Sequence, residues 1–422
     1  MIKEIIPRSR VEARVRIPGS KSLTHRAFIA AALASGRSRI TNFLDCEDTR
    51  FTAQGLQSLG VQMEREGEAM VISGTGGLFP PSSGIKTIFL GNSGTSCRLL
   101  LSIAALARGD YLLTGSPRLQ NRPIGELARA LNDLGAGSLR LPPNGCPPVT
   151  LKARGLKGGK VAISGRQSSQ FISSLLLAAP YAEQDVEIEV LGDMVSEPYI
   201  DLTIGIMDRF GVSVVREGGR YFKVTAGKDY QACPLTIEGD ISNASYFWAA
   251  AAVTEGSVTI TDLNPGDTRQ GDLAILEVLE AMGCRVERGP DWVTVQGAPL
   301  QGIDLDMSSI PDLVPTMAAL AMFAEGRTVI RNVPHLRLKE SDRIGAVATE
   351  WNRLGGRVDE LPDGLVIQGG LKLTGAEVDP HDDHRLAMSL AVIGLRVPGI
   401  GIRQAECVNK SFPLFWDYWD RL

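Results

Sequence analysis

The chain has 422 residues, of which 44% are hydrophobic and 22% are charged, so it is too long for one ordinary core and predicts two or three domains. Its formal charge is −4 at pH 7, and its Lys and Arg residues form no block along the chain. A nucleic-acid-binding protein would need a basic face, so we expect no nucleic acid as a partner.

The N-terminal segment and the cysteines predict the compartment. Residues 1–19 lack the apolar stretch of a signal peptide, and no segment approaches the roughly 18 consecutive apolar residues of a membrane span. The six cysteines are far apart and form no C-x-x-C pair, which is typical of reduced thiols. We therefore expect a soluble, cytoplasmic protein that binds no membrane.

Two kinds of helical segment alternate along the chain. The first kind occurs six times, as RAFIAAALASG, CRLLLSIAALARG, FISSLLLAAP, YFWAAAAVTEG, VPTMAALAMFAEG and RLAMSLAVIGL. The second kind ends at a glycine, which supplies a left-handed helix cap. These glycines are Gly60, Gly135, Gly211, Gly283 and Gly355, and they are 75, 76, 72 and 72 residues apart. Such regular spacing predicts an internal repeat of about 70 residues.

Strand-like segments follow the second helices. Alternating stretches such as AMVISG, PVTLKA, FKVTAG, WVTVQG and LVIQGG predict these strands. The sixth second helix would be the C-terminal FPLFWDYWDRL, so we expect its strand to come from the N-terminal IPRSRVEARVRIP (6–18). The predicted fold is α/β, with one domain formed by residues 1–17 and 228–422 and another by residues 18–227.

Cations concentrate where these helices begin. KESDR (339–343) is one example, although the helix macrodipole disfavours positive charge in a first turn. Equivalent helix ends should face the same way, so their N–H groups can converge on an anion. The helix starts carry eight cations: Lys21, Arg26, Arg98, Arg122, Lys339, Arg343, Arg385 and Lys410. They predict a ligand with several negative charges.

Two shorter patterns indicate less. GNSGTS (91–96) resembles a phosphate loop but lacks the G-x-x-x-x-G-K-[ST] pattern. HDDH (381–384) contains possible metal ligands, but neighbouring residues on a loop rarely share one ion. We therefore expect no cofactor and no metal.

An ordered set of loop motifs resembles one known family. PGSKSLTHR, GNSGTSCR, RP at 122 and 123, SSQF, SEPYID, PD at 311 and 312, KESDRI, DHR and KSFP occur in this order across nearly the whole chain. They are similar to the motifs of the 5-enolpyruvylshikimate-3-phosphate (EPSP) synthases. The resemblance implies two similar domains of three βαβαββ units each, called an inside-out α/β barrel, with the active site in the cleft between them.

The resemblance also implies a reaction. Shikimate 3-phosphate and phosphoenolpyruvate would give the enolpyruvyl ether and inorganic phosphate, by addition and then elimination through a tetrahedral intermediate. Both substrates carry a phosphate and a carboxylate, which would account for the cationic helix starts. We expect the enzyme to be a monomer.

Motif matching implies a set of residues for each substrate. Those for shikimate 3-phosphate are Lys21, Ser22, Arg26, Ser168, Ser169, Gln170, Ser196, Tyr199, Asp312, His335 and Lys339. Those for phosphoenolpyruvate are Lys21, Asn92, Gly94, Thr95, Arg122, Gln170, Glu340, Arg343, His384, Arg385 and Lys410.

Three residues are implied to be catalytic. In the addition the 5-hydroxyl loses a proton while the methylene carbon gains one, and the elimination takes that proton back, so two positioned acid–base groups are needed. The family assigns Asp312 to the hydroxyl and Glu340 to the methylene carbon, with Lys21 assisting. A carboxyl group that protonates carbon needs a raised pKa, which the flanking Lys339 and Arg343 would oppose.

The chain departs from the family pattern behind the glycine loop. Family members often carry Ala, Ala, Met and Pro at four positions that are here Ser93, Ser96, Cys97 and Leu99, so we expect different packing. Gly94 is retained, and a larger residue there would crowd both phosphoenolpyruvate and the herbicide glyphosate. We therefore predict sensitivity to glyphosate. His335 replaces a frequent Asn, and we expect it near the shikimate phosphate.

Two other functions are consistent with parts of the sequence. The UDP-N-acetylglucosamine enolpyruvyl transferases share the fold but usually carry a cysteine shortly before the Arg-Pro pair, where this chain has SPRLQNRP. A non-catalytic anion-binding protein of the same fold would not need both Asp312 and Glu340. The motifs KESDR and SSQ favour the shikimate enzyme.

Overall fold

A computed structural model describes residues 1–82 and 84–422. They divide into two compact units: a terminal unit, Met1–Pro18 with Glu238–Leu422, and a central unit, Gly19–Ile237. The main difference from the predicted bounds concerns residues 228–237, which lie in the central unit because the strand Pro234–Thr236 pairs there with the strand Ser35–Thr41. Among the described helices, none combines the length and apolar sequence needed to cross a membrane.

The central unit consists of three repeats, and two short strands of the terminal unit precede it. Those strands are β1 (Lys3–Glu4) and β2 (Glu12–Arg16). The first repeat contains α1 (Lys21–Leu33), β3 (Ser35–Thr41), α2 (Glu47–Ser58), β4 (Gln62–Glu66) and β5 (Ala69–Thr75). The second contains β6 (Ile85–Phe89), α3 (Gly94–Leu106), β7 (Arg108–Thr114), α4 (Gly125–Asp133), β8 (Gly137–Arg140) and β9 (Val149–Arg154). The third contains β10 (Gly159–Ser164), α5 (Ser169–Ala178), β11 (Val186–Leu191), α6 (Pro198–Arg209), β12 (Val215–Glu217) and β13 (Tyr221–Val224), and β14 (Pro234–Thr236) ends the unit.

The terminal unit continues with three further repeats. The fourth contains α7 (Ile241–Val253), β15 (Ser257–Thr261), α8 (Ile275–Ala281), β16 (Arg285–Arg288) and β17 (Trp292–Gln296). The fifth contains β18 (Asp304–Asp306), α9 (Val314–Ala321), β19 (Arg327–Arg331), α10 (Arg343–Arg353), β20 (Arg357–Leu361) and β21 (Gly364–Gln368). The sixth contains β22 (Glu377–Val378), α11 (His384–Gly394), β23 (Gly401–Ile402) and α12 (Phe415–Trp419).

Each repeat builds one small sheet of the same design. In the second repeat β6 pairs in parallel with β7, and β9 lies antiparallel between β7 and β8. The third and fifth repeats have the same order, β10-β11-β13-β12 and β18-β19-β21-β20. The predicted α/β fold of six similar units is confirmed, and the described strands form six separate sheets rather than one closed sheet.

Three strands belong to a repeat other than the one they adjoin in sequence. β14 completes the first repeat by pairing in parallel with β3, and β2 completes the fourth by pairing in parallel with β15. The sixth repeat is closed by β1, which pairs antiparallel with β23. The expectation that residues 6–18 would close it was therefore wrong. The two-residue edge of β23 takes only the two-residue β1, whereas the longer β2 matches the five-residue β15.

The first helix of each repeat lies inside its unit. In α3 every residue from Ser96 to Leu106 is buried, because a helix that is apolar on all sides must be surrounded by other elements. The second helices are amphipathic and end as predicted. After α4 and α10, Gly135 and Gly355 have φ values of +75° and +84°, the left-handed conformation that reverses the chain.

Candidate active site

The first helices of the central unit begin at uncharged caps. Ser20 caps α1, Ser93 caps α3 and Ser168 caps α5, and each hydroxyl accepts a hydrogen bond from a first-turn N–H group, at 3.5, 3.3 and 3.3 Å. A serine cap adds no negative charge against the positive end of the helix dipole. These helix starts therefore keep a positive potential that suits anions.

Lys21, the first residue of α1, is held by Asp48 of α2. Its Nζ lies 3.0 Å from Asp48 Oδ2, and the two side chains are 13% and 3% exposed. This ion pair fixes the ammonium group beside the first turns of both helices.

Arg26 is buried, and each nitrogen of its guanidinium donates to a protein oxygen. Nε donates to Thr203 Oγ1 at 2.7 Å, Nη1 to Ser22 O at 2.8 Å and Nη2 to Tyr199 O at 3.0 Å. Burial lowers the pKa of Arg26 to about 10, so the group stays charged at neutral pH. Arg26 thus joins α1 to α6 and brings three predicted residues together.

The glycine loop approaches Arg122 closely. A Cβ atom at Gly94 would lie 2.6 Å from Arg122 Cζ, so only glycine leaves room for the guanidinium in this position. Arg122 is 5% exposed, and its Nη1 donates to Asn92 O at 3.4 Å. The structure therefore places Asn92, Gly94 and Arg122 in one cluster.

Gln170 links the starts of α3 and α5. Its Nε2 donates to Thr95 Oγ1 at 3.0 Å, and its Oε1 accepts from Arg98 Nη1 at 2.9 Å. Arg98 also donates from Nη2 to Pro123 O at 3.0 Å. Arg98 was counted among the helix-start cations, and the structure shows it holding Gln170 in place.

Two further predicted serines lie at helix starts of the central unit. Ser169 is buried in the first turn of α5, and Ser196 is buried just before α6 with a φ of +56°. A left-handed backbone in a residue other than glycine costs about 1–3 kcal/mol and is often found at binding sites.

In the terminal unit, three cations surround Asp312. Its Oδ1 lies 3.0 Å from Arg343 Nη1 and 3.4 Å from Lys339 Nζ, and its Oδ2 lies 2.7 Å from Arg385 Nη2. Burial works to raise the pKa of Asp312, but the charges of Arg385, Lys339 and Arg343 outweigh it and hold the pKa well below its usual range. Three predicted cations from two segments, KESDR and the start of α11, thus meet at the carboxylate of Asp312.

Arg343 connects three carboxylates. Its side chain is 1% exposed, its Nε lies 2.8 Å from Asp383 Oδ2, and its Nη2 lies 2.9 Å from Glu340 Oε2. Asp383 is fully buried and caps α11 by accepting from Arg385 N at 3.0 Å. In the sequence, Arg343 stands out only as a neighbour of Glu340. In the structure, Asp312 and Asp383 share the charge of Arg343 with Glu340.

The KESDR segment lies mostly outside the helix. α10 begins at Arg343, and Asp342 is its cap, accepting from Gly345 N at 3.2 Å. Lys339 and Glu340 precede the cap and follow a 3₁₀ helix at Pro334–Leu338. The expectation of two cations in the first turn was therefore wrong for Lys339. For Arg343, the carboxylate partners compensate the unfavourable dipole.

His335 lies in that 3₁₀ helix and is 5% exposed. Among the described residues, neither of its ring nitrogens has a hydrogen-bond partner. Burial lowers the pKa of His335 to about 3, and the charges of Lys339 and Arg343 act in the same direction. The imidazole is therefore neutral at physiological pH and adds no positive charge to the cluster.

His384 and Lys410 are buried cations or potential cations that interact electrostatically with the acidic pair Asp382 and Asp383 before α11. His384 is 1% exposed, and its Nδ1 lies 3.7 Å from Asp383 Oδ1. Lys410 is 5% exposed and ends a 3₁₀ helix at Ala405–Lys410. Burial raises the pKa of Asp382, and the positive charge of Lys410 opposes this rise.

Sequence reasoning missed two carboxylates, Asp48 and Asp383. Asp48 stands in the acidic first turn of α2, where the helix dipole alone would explain it. Asp383 belongs to HDDH, which we had weighed as a metal pattern. Its place directly before a helix start is the signal of a cap and could have identified it.

Comparison with known proteins gives one consistent family. The profile of "EPSP synthase (3-phosphoshikimate 1-carboxyvinyltransferase)" matches residues 5–419. A 3-phosphoshikimate 1-carboxyvinyltransferase of Methanoculleus marisnigri is 47% identical over 418 residues, which cover 99% of this chain and 98% of the relative. The same enzyme of Syntrophobacter fumaroxidans is 46% identical over 425 residues and is covered completely, as is this chain.

Solved structures agree with this result. EPSP synthase from Acinetobacter baumannii superposes with a TM-score of 0.81 at 30% identity, covering 99% of this chain and 97% of that chain. The enolpyruvyl transferase NikO from Streptomyces tendae also gives a TM-score of 0.81, at 21% identity, covering 100% of this chain and 97% of that chain. At that identity NikO shows the shared fold only.

Proposed function

The chain belongs to the EPSP synthase (3-phosphoshikimate 1-carboxyvinyltransferase) family, and we propose that the clusters described above bind and convert the two substrates of this reaction. The enzyme transfers the enolpyruvyl group of phosphoenolpyruvate to the 5-hydroxyl of shikimate 3-phosphate and releases phosphate, a step of the shikimate pathway to aromatic amino acids. The sequence-based choice of this reaction over that of the UDP-N-acetylglucosamine enzymes is confirmed.

Shikimate 3-phosphate is assigned to the serine-capped helix starts of the central unit and to three residues of the terminal unit. The uncharged caps and the nearby cations support this assignment, because the substrate carries a phosphate and a carboxylate. The assigned residues are Lys21, Ser22, Arg26, Ser168, Ser169, Gln170, Ser196, Tyr199, Asp312, His335 and Lys339.

Phosphoenolpyruvate is assigned to the glycine loop with its neighbours and to the Arg343 cluster. The close fit of Gly94 to Arg122 supports the first part, since the loop leaves the guanidinium just enough space. The assigned residues are Lys21, Asn92, Gly94, Thr95, Arg122, Gln170, Glu340, Arg343, His384, Arg385 and Lys410.

The observation that best supports the catalytic roles is the guanidinium shared by Asp312 and Glu340. Arg343 Nη1 lies 3.0 Å from Asp312 Oδ1, and Nη2 lies 2.9 Å from Glu340 Oε2. The two carboxylates are therefore separated by the width of one planar group. This spacing suits two acid–base groups that act on neighbouring atoms of one small substrate pair.

The chemistry follows in two steps through a tetrahedral intermediate. In the addition, the 5-hydroxyl oxygen bonds to C2 of phosphoenolpyruvate while Asp312 takes the hydroxyl proton and Glu340 protonates the methylene carbon. In the elimination, the C–O bond to phosphate breaks, Glu340 takes its proton back from the methyl carbon, and the proton held by Asp312 leaves with the phosphate. Lys21 assists as a cation whose position Asp48 fixes.

The substrates themselves make Asp312 a better base. A carboxylate with a strongly lowered pKa is a weak proton acceptor. The cations that lower the pKa of Asp312 are Arg385, Lys339 and Arg343, which are also the proposed partners of the substrate phosphates and carboxylates. When a substrate anion takes one of these cations, the pKa of Asp312 rises toward its usual range.

Assembly and compartment complete the proposal. A single chain supplies every residue assigned above, so we propose that the enzyme works as a monomer. The six cysteines are all free thiols, which supports a reducing compartment such as the cytoplasm. Light scattering would show the mass of one chain, and a dimer mass would contradict this part of the proposal.

The test of the proposed function is phosphate release from phosphoenolpyruvate with two different acceptors. We expect release with shikimate 3-phosphate and none with UDP-N-acetylglucosamine. Release only with the sugar nucleotide would assign the chain to the other enzyme. Release with neither acceptor would favour a non-catalytic anion-binding protein.

A further inference from the structure

A buried chain of hydrogen bonds joins the first three helices of the central unit. It runs from His25 of α1 through Thr52 of α2 to Ser96 and Ser93 of α3, and all four side chains are fully buried. His25 Nδ1 lies 2.7 Å from Thr52 Oγ1, Thr52 Oγ1 lies 2.8 Å from Ser96 Oγ, and Ser93 Oγ lies 2.7 Å from Ser96 Oγ. Ser96 Oγ also donates to Asp48 O at 3.0 Å.

Counting the hydrogens shows the direction of each hydrogen bond in this series. A carbonyl oxygen only accepts, so the one hydroxyl hydrogen of Ser96 is used on Asp48. Ser96 Oγ must then accept from both Thr52 and Ser93. The hydrogen of Thr52 is thereby used, so its oxygen accepts from His25, which donates from Nδ1. The hydroxyl of Ser96 therefore makes three hydrogen bonds and is the centre of the chain.

Two residues joined by Ser96, Asp48 and Ser93, hold members of the proposed phosphoenolpyruvate site. Asp48 holds Lys21 through an ion pair of 3.0 Å. Ser93 caps α3 immediately before Gly94, and Gly94 contacts Arg122 so closely that a Cβ atom would not fit. The Ser96 hydroxyl thus fixes the helix turn that carries Asp48 against the helix turn that carries Gly94.

We propose that Ser96 is a positioning residue for phosphoenolpyruvate, which sets the distance between Lys21 and the glycine loop. The inference rests on the proposed function, because it assumes that Lys21 and Gly94 bind this substrate. Alanine at this position would leave Thr52, Ser93 and the Asp48 carbonyl without their common partner. In a buried region, such polar groups regain partners only if the helix turns shift.

The test compares three variants with the wild type by steady-state kinetics in which both substrates are varied. Ser96→Ala removes the hydroxyl group at the centre of the hydrogen-bond chain. Thr52→Val keeps the shape of residue 52 but removes its hydroxyl group, which donates to Ser96. Ser102→Ala is the matched control: Ser102 also lies buried on α3, and its hydroxyl contacts only Ser174 Oγ among the hydrogen bonds described, at 2.6 Å. Thermal midpoints are measured for all four proteins.

We expect Ser96→Ala to lower kcat/KM for phosphoenolpyruvate by about tenfold, because small displacements of positioning groups have large kinetic effects. Thr52→Val should lower it by a smaller factor, about threefold. The KM for shikimate 3-phosphate should rise less, by about twofold, because Lys21 also serves this substrate while Ser168, Ser169 and Arg26 lie outside the hydrogen-bond chain. Ser102→Ala should match the wild type in both constants even if its thermal midpoint falls.

Three results would overturn the inference: an unchanged kcat/KM for phosphoenolpyruvate in Ser96→Ala, an equal loss for both substrates, or an equal loss in Ser102→Ala. If Ser96→Ala does not fold, an unchanged Thr52→Val variant overturns it. A wild type that releases no phosphate with shikimate 3-phosphate would refute the proposed function instead, so the two failures are distinguishable.

Discussion

At the scale of single residues, Arg343 explains why a cation stands at the start of α10. Its guanidinium is nearly fully buried and contacts Asp312, Glu340 and Asp383. Burial alone would lower the pKa of Arg343, but these three carboxylates raise it. A buried charge needs such partners to stay ionised. The position therefore depends on carboxylates from other segments and not on the KESDR segment alone.

Gly94 gives the first prediction at this scale. In Gly94→Ala the new Cβ atom would lie 2.6 Å from Arg122 Cζ, and the guanidinium, as the end of a flexible side chain, would have to move. We expect stability close to that of the wild type and a KM for phosphoenolpyruvate raised by about tenfold or more. Kinetics and thermal unfolding check this, and an unchanged KM would contradict it.

Glyphosate provides a second readout of the same contact. We predict that it inhibits the wild type in competition with phosphoenolpyruvate and that Gly94→Ala weakens this inhibition. Initial rates at increasing glyphosate concentrations measure both effects. A wild-type rate unchanged by millimolar glyphosate would show that the loop does not bind the herbicide.

His335 predicts a pH dependence of stability. Its pKa is about 3 in the folded protein and about 6.5 in the unfolded chain. Between these values the unfolded state binds more protons, so this residue makes the protein less stable as the pH falls. From pH 7 to pH 4, the wild type should lose about 3 kcal/mol more unfolding free energy than His335→Asn. Urea unfolding at both pH values decides this, and parallel losses would refute it.

At the scale of elements, the caps of the first helices differ between the units. The central unit uses Ser20, Ser93 and Ser168, whereas in the terminal unit Asp240 and Asp383 cap α7 and α11. Serine and aspartate cap a helix about equally well. Only aspartate adds a negative charge, which would repel a bound phosphate.

Ser168 allows this difference to be tested. Ser168→Asp should leave stability unchanged and raise the KM for shikimate 3-phosphate by about tenfold or more, through charge repulsion at short range. Ser168→Asn, a neutral cap of the same shape, is the control and should raise it much less. Equal KM values for the two variants would show that the charge at this cap is unimportant.

The elements themselves were largely predictable from the sequence, whereas the contacts of the site were not. The helix-ending glycines, such as Gly355, are left-handed caps that depend only on local backbone geometry. The position of Asp383 beside Arg343 depends on how α10 and α11 pack, which a sequence pattern does not contain. For the same reason the hydroxyl chain through Ser96 could be anticipated only as altered packing.

At the scale of the whole molecule, the exchange of strands predicts which half of the chain folds alone. The fragment 19–237 contains all the strands of its three sheets, including β14. The fragment 238–422 lacks β1 and β2, which pair with β23 and β15. It also lacks Ile5, Val11 and Val15 of its core. Unpaired edges and a missing part of the core favour aggregation.

We therefore expect fragment 19–237 to unfold cooperatively when heated, and fragment 238–422 to be disordered or aggregated. Circular dichroism and sedimentation measure both states. Adding the peptide 1–18 should restore cooperative unfolding to fragment 238–422. A terminal fragment that folds without this peptide would contradict the role of the exchanged strands.

The strand that closes the sixth repeat could not be identified from the sequence. The repeat period showed that one strand had to come from the N-terminus, but the segment chosen was 6–18 instead of β1. Residues 12–16 alternate well enough to suit either position. The choice depends on the short edge of β23, which becomes visible only when the sheets are assembled.

The central claim is that Asp312 and Glu340 transfer the protons, and the most direct measurement is phosphate release by Asp312→Asn and Glu340→Gln at saturating concentrations of both substrates. Asp342→Asn is the control. It removes a carboxylate from the same segment, and asparagine can still cap α10. We predict that each of the first two variants, checked for folding by thermal unfolding, loses about a hundredfold or more in rate, while Asp342→Asn stays near the wild type. If either folded variant keeps more than about a tenth of the wild-type rate, general acid–base catalysis by that residue is contradicted.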